Sequence, residues 1–439
     1  MNPSASGVDA LPTSGPVSST PADTQAEALR GLPRVLIKPR RAQPFFYRHP
    51  WVYRTAIHSV SGKPEAGDEV AVYTHEGDFL ARGLFNPNSE IVVRLYSWDA
   101  ATPLDEVFFE QRIVDAIAVR RRLPSPWGAG QGMFAERSAA FPADTGCRMI
   151  FSESDGLSGL TVDRYGEWLL VQITSLALAR RKEHLVKVLQ QQLSPRGIWL
   201  RTEKGMRDSE GLEAADGLIS GEAPPRPLIL RDGEVQYQVD VVEGQKTGFY
   251  LDQSSNRAAA ARYLGGARVL DLFCYSGGFG ITALKHGARE VLAVDVSESA
   301  LTMAAANAEL NGVADRIRFE KAKAFEALER LRGAGEKFDA VVLDPPKMAR
   351  NRASLKQALK GYFSLNRLAL DVLNPGGILV TCSCTGLVTA EDFRDVLSSV
   401  AVKANRTLRV LEARGASPDH PASVHCPETN YLKCVIAMG

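Results

Sequence analysis

Hydrophobic positions change their spacing twice along this chain. Between about residues 35 and 98, short β-rich runs alternate apolar and polar positions: GDEVAVYT at 67–74, DFLARGLF at 78–85 and EIVVRLYS at 90–97. Turn-forming clusters, SGKPEAG and NPNS, break them, and the pattern predicts a small β-barrel. Residues 104–123 follow helical spacing and end in Arg120, Arg121 and Arg122. Further strands are expected at 156–163 behind a turn, at 167–176 and at 197–202, with a helix at about 180–193. Residues 204–227 read as loop or insertion, and 228–243 as a hairpin around Asp232-Gly233. This middle region predicts a small α+β domain. From about 254 the pattern becomes strand, helix, strand. Apolar runs lie at 268–273, 291–295, 317–320, 340–343 and 377–382, with helices at about 297–311, 324–332 and 353–373. Asn374-Pro375-Gly376-Gly377 is a helix stop. Such alternation predicts a parallel, doubly wound sheet. Runs at 406–412 and 431–437 are placed to close its edge as a hairpin. The fold class is thus multidomain α/β.

Length agrees: 439 residues, 45% hydrophobic, exceed one ordinary core and imply two or three domains. A net charge of +1 excludes a global basic field, so a nucleic-acid surface must be a local patch. No run approaches the ~18 apolar residues of a membrane span. The first 30 residues are rich in Ser, Pro, Ala and Thr, carry one basic residue, Arg30, and lack an apolar core segment. They read as a disordered tail rather than a secretory signal. Six scattered cysteines are no disulfide framework, and Cys382-Ser383-Cys384 without a partner pair is a weak zinc motif. A reducing cytoplasm fits.

The chemistry is concentrated in the last domain. VLDLFCYSGGFG at 269–280 joins a buried strand ending in Asp271 to a loop with Phe273, Gly277, Gly278 and Gly280. Glycines admit a ligand where a Cβ would clash. A carboxylate just before the loop suits the cationic amino group of a methionine moiety and would repel a pyrophosphate. Asp295 ends the next strand, a place suited to ribose hydroxyls, and Ser297 lies just beyond it. These features point to S-adenosylmethionine (SAM). GQKTGFYLDQ at 244–253, with Phe249, suits a loop folding over that cofactor.

FDAVVLDPPK at 338–347 is a strand ending in Asp344, Pro345, Pro346 and Lys347. Its carboxyl edge is where α/β sheets bind ligands. The prolines hold Asp344 and adjacent carbonyls rigid, and such groups match the amino edge of a nucleobase. GILVTCSCT at 377–385 delivers Cys382 and Cys384 to the same edge. A strand cysteine is usually a small buried hydrophobe, whereas a reactive one needs a lowered thiol pKa or an adjacent base. A thiolate adding to carbon 6 of cytosine would make carbon 5 nucleophilic enough to take a methyl group. The base must then be unpaired or flipped out.

These motifs occur in one order: HPWV at 49–52, ESDGLSGLTVDRY at 153–165, GQKTGF at 244–249, residues 271–280, DPPK at 344–347, CSC at 382–384, DHP at 419–421, Pro427-Glu428 and YLK at 431–433. The set resembles the RlmI-type bacterial ribosomal RNA methyltransferases over nearly the whole chain after about residue 33. The resemblance implies SAM as cofactor and 5-methylcytosine in large-subunit (23S) ribosomal RNA as product. It implies a PUA domain at 34–110, a linker helix and central α+β domain at 111–243, and a Rossmann-like methyltransferase domain at 244–439, behind a tail at 1–33. It implies no metal and leaves a homodimer open. Aligned from Gly376-Gly377, Cys384 takes the nucleophile's place, with Cys382 still in play. Where many such enzymes have a second cysteine after the Pro-Pro turn, this chain has Lys347. Near Lys323 relatives often place an Asp for the adenine amino group, and at Ser254 an Arg is more usual.

Residues 34–54 carry Arg34, Lys38, Arg40, Arg41, Arg48 and Arg54 with no acid, interleaved with Phe45, Phe46, Tyr47, Trp51 and Tyr53. Cations for phosphates beside aromatics for unpaired bases predict an RNA face. Lys38, Arg40, Arg41 and Trp51 are its leading candidates. Three other functions stay open on sequence: an RNA guanine (N2 or N7) methyltransferase, a non-catalytic RNA-binding assembly factor and a nicotinamide oxidoreductase.

Overall fold

The computed structural model describes residues 27–123, 141–202, 208–212, 216–242 and 248–439. Strands β1 (Arg34–Ile37), β2 (Trp51–Tyr53), β3 (Ile57–Ser61), β4 (Glu69–Tyr73), β5 (Phe79–Phe85) and β6 (Ile91–Ser97) form one sheet in the order β2-β6-β5-β4-β1-β3. Only β1 and β4 run parallel. Val52 of the end strand β2 and Ile37 of β1, with Ile57 of the other end strand β3 packed against them, join one core with Val70, Val72, Val93 and Leu95, so the sheet curls around it. No ladder joins β2 to β3 among the described residues, and the barrel stays open there. Of the stretch read as a tail, 1–26 lies outside the described residues. Leu29 is buried against Ala71 and Ala100, and the Ala28 carbonyl accepts from Arg82 Nη2 at 2.6 Å.

The helix Glu106–Arg122 leaves this domain. Asp105 caps it, accepting from the Phe108 N–H at 2.9 Å. Its buried residues Phe109, Ile113, Ala116, Ile117 and Arg120 recur at helical spacing. They bridge Leu84 and Tyr96 of the first sheet to Met149 and Ile150 of the second. That second sheet comprises β7 (Gly146–Phe151), β8 (Leu160–Tyr165), β9 (Trp168–Ile173), β10 (Gly197–Leu200) and β11 (Gly217–Gly221), in the order β11-β10-β9-β8-β7. β11 lies where sequence predicts a loop. It is a short edge strand flanked by glycines, held by antiparallel pairing to β10 rather than by apolar pattern. The hairpin β12 (Leu228–Asp232) and β13 (Val235–Val239) forms as expected and packs its Leu230 and Tyr237 into the core of the C-terminal domain.

That domain holds β14 (Arg268–Leu272), β15 (Glu290–Asp295), β16 (Ile317–Lys321), β17 (Phe338–Leu343), β18 (Leu373–Ser383), β19 (Arg409–Arg414) and β20 (Lys433–Met438). The order is β16-β15-β14-β17-β18-β20-β19, parallel through β18. β20 runs antiparallel to both neighbours, the expected edge hairpin. The helix Ala390–Ala404 is unpredicted. Its signal is a capping box at its start: Thr389 Oγ1 accepts from the Asp392 N–H at 3.0 Å and Asp392 Oδ2 accepts from the Thr389 N–H at 2.9 Å. Strand order reverses between β14 and β17, so a crevice opens at their carboxyl ends.

Candidate active site

A cavity of about 770 Å³ lies at this switch point. Asp271 of β14 forms its floor. Its carboxylate accepts from the Gly280 N–H at 2.9 Å. Burial pushes Asp271 up to about 7, with Asp344 and Asp295 adding to the rise against that hydrogen bond. A Cβ at Gly280 would stand 3.1 Å from this carboxylate, which is why the position is small. The loop between β14 and the helix Gly278–Lys285 holds Phe273 at φ 63° and Tyr275 at φ 48°. Two non-glycine residues in the left-handed region mark a loop over-determined by its surroundings. Asp295 supplies part of that constraint, accepting from the Tyr275 N–H at 3.0 Å and the Ser297 N–H at 2.9 Å. Gly277, φ 81°, and Ser297 stand outside the lining. Ser297 instead caps the helix Glu298–Leu310 by accepting from the Ala300 N–H. Phe249 and Gly278 do line the cavity. Residues 244–247, the first part of the expected covering loop, lie outside the described residues.

Beside β14, at the end of the neighbouring strand β17, Asp344, Pro345, Pro346 and Lys347 line the cavity. Cys384 is partly buried beside them and donates its S–H toward the Pro345 carbonyl, 3.6 Å away. Cys382 is sealed behind the wall, directly opposite Cys434 in the β18–β20 ladder. Hydrogen bonding to Cys434 and burial push its thiol well above the ordinary value. The strand therefore separates the two cysteines into one core thiol and one cavity thiol.

Arg257, which no local motif announces, also lines the cavity. Arg257 pairs with Asp232 at 2.6 Å, donates to the Tyr250 carbonyl at 3.1 Å and lies 4.7 Å over the Phe249 ring. Ser254 also donates to Asp232. Asn307, fully buried, braces the loop through the Ser276 carbonyl at 3.1 Å. Tyr431 donates to Asp252 at the cavity edge. Lys323 points away, to Glu326 at 2.8 Å.

Trp51 is the N-terminal domain's contribution to the cavity. Its Nε1 donates to Glu153 at 2.9 Å, while His49 meets Glu428 at 3.3 Å. Lys38, Arg40 and Arg41 are exposed and do not line the cavity; Lys38 donates to the Thr55 carbonyl at 3.0 Å. The ESDGLSGLTVDRY and DHP motifs are joints. Arg148 clasps Asp163 through two 2.7 Å bonds, Arg120 holds Asp155 at 2.8 Å, and Asp419 accepts from the Arg148 N–H at 2.9 Å.

Family models agree with this geometry: a PUA-like domain matches residues 35–98 and an S-adenosylmethionine-dependent methyltransferase matches 172–430. The fold is shared with a solved methyltransferase complexed with SAH (TM-score 0.78, 18% identity, 92% of this chain and 100% of that one). A solved Streptococcus mutans chain is equally close in fold (TM-score 0.77, 18% identity, the same coverage). Sheet order, acid-ended strands and the 172–430 match define the class: a SAM-dependent methyltransferase behind a PUA-like domain. Proteins named ribosomal RNA large subunit methyltransferase I are 41% identical in Shewanella denitrificans over 406 residues and 41% in Tolumonas auensis over 404. Each match covers 92% of this chain and 98% of the relative. The chain belongs to the ribosomal RNA large subunit methyltransferase I family.

Proposed function

We propose that the protein methylates carbon 5 of an unpaired cytosine in large-subunit ribosomal RNA, with Cys384 as nucleophile. The observation carrying this reading is the Cys384 thiol beside the Asp344-Pro345 turn in the cavity floored by Asp271. SAM, when bound, supplies an electrophilic methyl group. The residues suit it: three carboxylates, Asp271, Asp295 and Asp344, converge where a cationic ligand relieves their repulsion. Asp271 would take the ammonium and Asp295 the ribose hydroxyls, with Phe249, Phe273 and Gly278 around them. Asp344 and the Pro345 carbonyl would hold the N3 and N4 edge of cytosine. Cys384 Sγ would add to carbon 6, and carbon 5 would take the methyl group as the bond from that methyl to the SAM sulfur breaks; loss of the carbon 5 proton to solvent would then expel the thiolate. The sealed position of Cys382 argues against its acting as nucleophile or as the group that releases product.

The domain division proposed from sequence (34–110, 111–243, 244–439) serves this chemistry, with the hairpin Leu228–Val239 packed onto the last unit. We assign RNA docking to the first unit, through Lys38, Arg40, Arg41 and Trp51, and contact with the target base to Pro345, Pro346 and Lys347. The reaction belongs in the reducing cytoplasm: the six cysteines are free thiols, and among the described residues no helix is long and apolar enough to cross a membrane. RNA carrying 5-fluorocytidine tests the mechanism, since its carbon 5 cannot lose a proton. A covalent complex mapping to Cys384 is expected. Turnover retained by Cys384→Ala would instead favour guanine chemistry, which needs no thiol.

A further inference from the structure

We propose that Lys433 is a positioning residue for methyl transfer, its buried ammonium fixing the turn that carries Cys384 and favouring the thiolate of that cysteine. The proposal rests on Cys384 being the nucleophile. Lys433 opens β20 and lies directly opposite Ser383 in the antiparallel ladder. It is only 7% exposed. Its Nζ donates to the Thr385 carbonyl at 2.8 Å and to the Tyr431 carbonyl at 2.8 Å. One carbonyl belongs to the residue after the thiol, the other to a residue whose ring lines the cavity. The lysine therefore ties the end of β18 to the start of β20 at the site's wall. A buried ammonium held by neutral carbonyls is costly and needs compensation nearby.

That compensation lies at the nucleophile. Burial pulls Lys433 down to about 8, while Cys384, followed by Asp392, pulls it back up. Coulombic attraction is mutual, so whatever the ammonium gains from a thiolate the thiolate gains from the ammonium. Asp344 disfavours a second anion, and Tyr250 and Tyr362 are phenols pushed further toward neutrality by burial. Lys347 and Arg350 stand at the exposed rim of the cavity, and Arg257 is paired with Asp232.

The test is the rate at which iodoacetamide alkylates Cys384 in the full-length protein, followed by peptide mass spectrometry from neutral to alkaline pH. Lys433→Gln keeps a hydrogen-bond donor and drops the charge. It is expected to raise the thiol midpoint by about 1 unit and cut kcat at neutral pH by about 10-fold, with the KM for SAM unchanged. Lys433→Met should raise the midpoint likewise, and Lys433→Arg should retain it. An unmoved midpoint in whichever neutral variant folds, or a midpoint in Lys433→Arg that rises as in Lys433→Gln, overturns the proposal. A 5-fluorocytidine adduct together with an unmoved midpoint overturns the role of Lys433 alone. Absence of any adduct in the wild type overturns the nucleophile reading and this proposal with it.

Discussion

At the scale of single residues, Asp271 sets a pH dependence with a definite sign. Burial lifts it to about 7, above the ordinary carboxylate value of 3.8, so the folded state holds the proton more tightly than the unfolded chain. Its contribution to stability is therefore full below about pH 4 and is lost as pH rises toward 7. A bound cation reverses that loss. SAM should thus raise the melting temperature more at pH 8 than at pH 6, and affinity by calorimetry should weaken by up to ~10-fold per unit below pH 7. Asp271→Asn should cost about 10- to 100-fold in affinity and flatten the dependence. The two cysteines divide as sharply: Cys384→Ala should lower kcat by at least ~1000-fold, and Cys382→Ala should leave kcat near wild type. That Asp271, Asp295, Asp344 and Cys384 gather at one sheet edge is legible in sequence because a strand's carboxyl end is a local property. Choosing between Cys382 and Cys384 is not, because the partner that buries Cys382 is Cys434 on a distant strand.

Among elements, the strands of the C-terminal sheet are readable because burial on both faces leaves continuous apolar runs. β11 is unreadable for the opposite reason: Gly217–Gly221 has little apolar pattern and exists by pairing with β10. The helix Ala390–Ala404 does announce itself, through the Thr389 and Asp392 capping box. The joints between elements carry buried charge. Asp163 is fully buried and Arg148 nearly so. Asp163→Ala leaves that guanidinium unpaired and should destabilise by ~3–5 kcal/mol in urea unfolding. A loss under ~1 kcal/mol would mean that solvent already reaches the pair.

Across the whole molecule, the cavity is a meeting of distant segments. Trp51 reaches Glu153, 102 residues on, and His49 reaches Glu428, 379 residues on. HPWV, Glu153 and Pro427-Glu428 are visible in sequence as separate motifs, yet only the fold shows that they form one rim. The N-terminal domain thereby reaches the site through Trp51, and its Lys38, Arg40 and Arg41 are exposed. Arg40→Glu with Arg41→Glu should weaken RNA binding, most strongly at low salt, and leave SAM affinity unchanged. Equal RNA affinity in a titration would remove these arginines from the docking face.

The measurement closest to the central claim is nucleoside mass spectrometry of large-subunit ribosomal RNA from cells lacking this gene, taken before and after incubation with the purified protein and labelled SAM. The account predicts label in 5-methylcytidine. Label in a methylguanosine would contradict it, keeping the fold and cofactor and removing Cys384 from the chemistry.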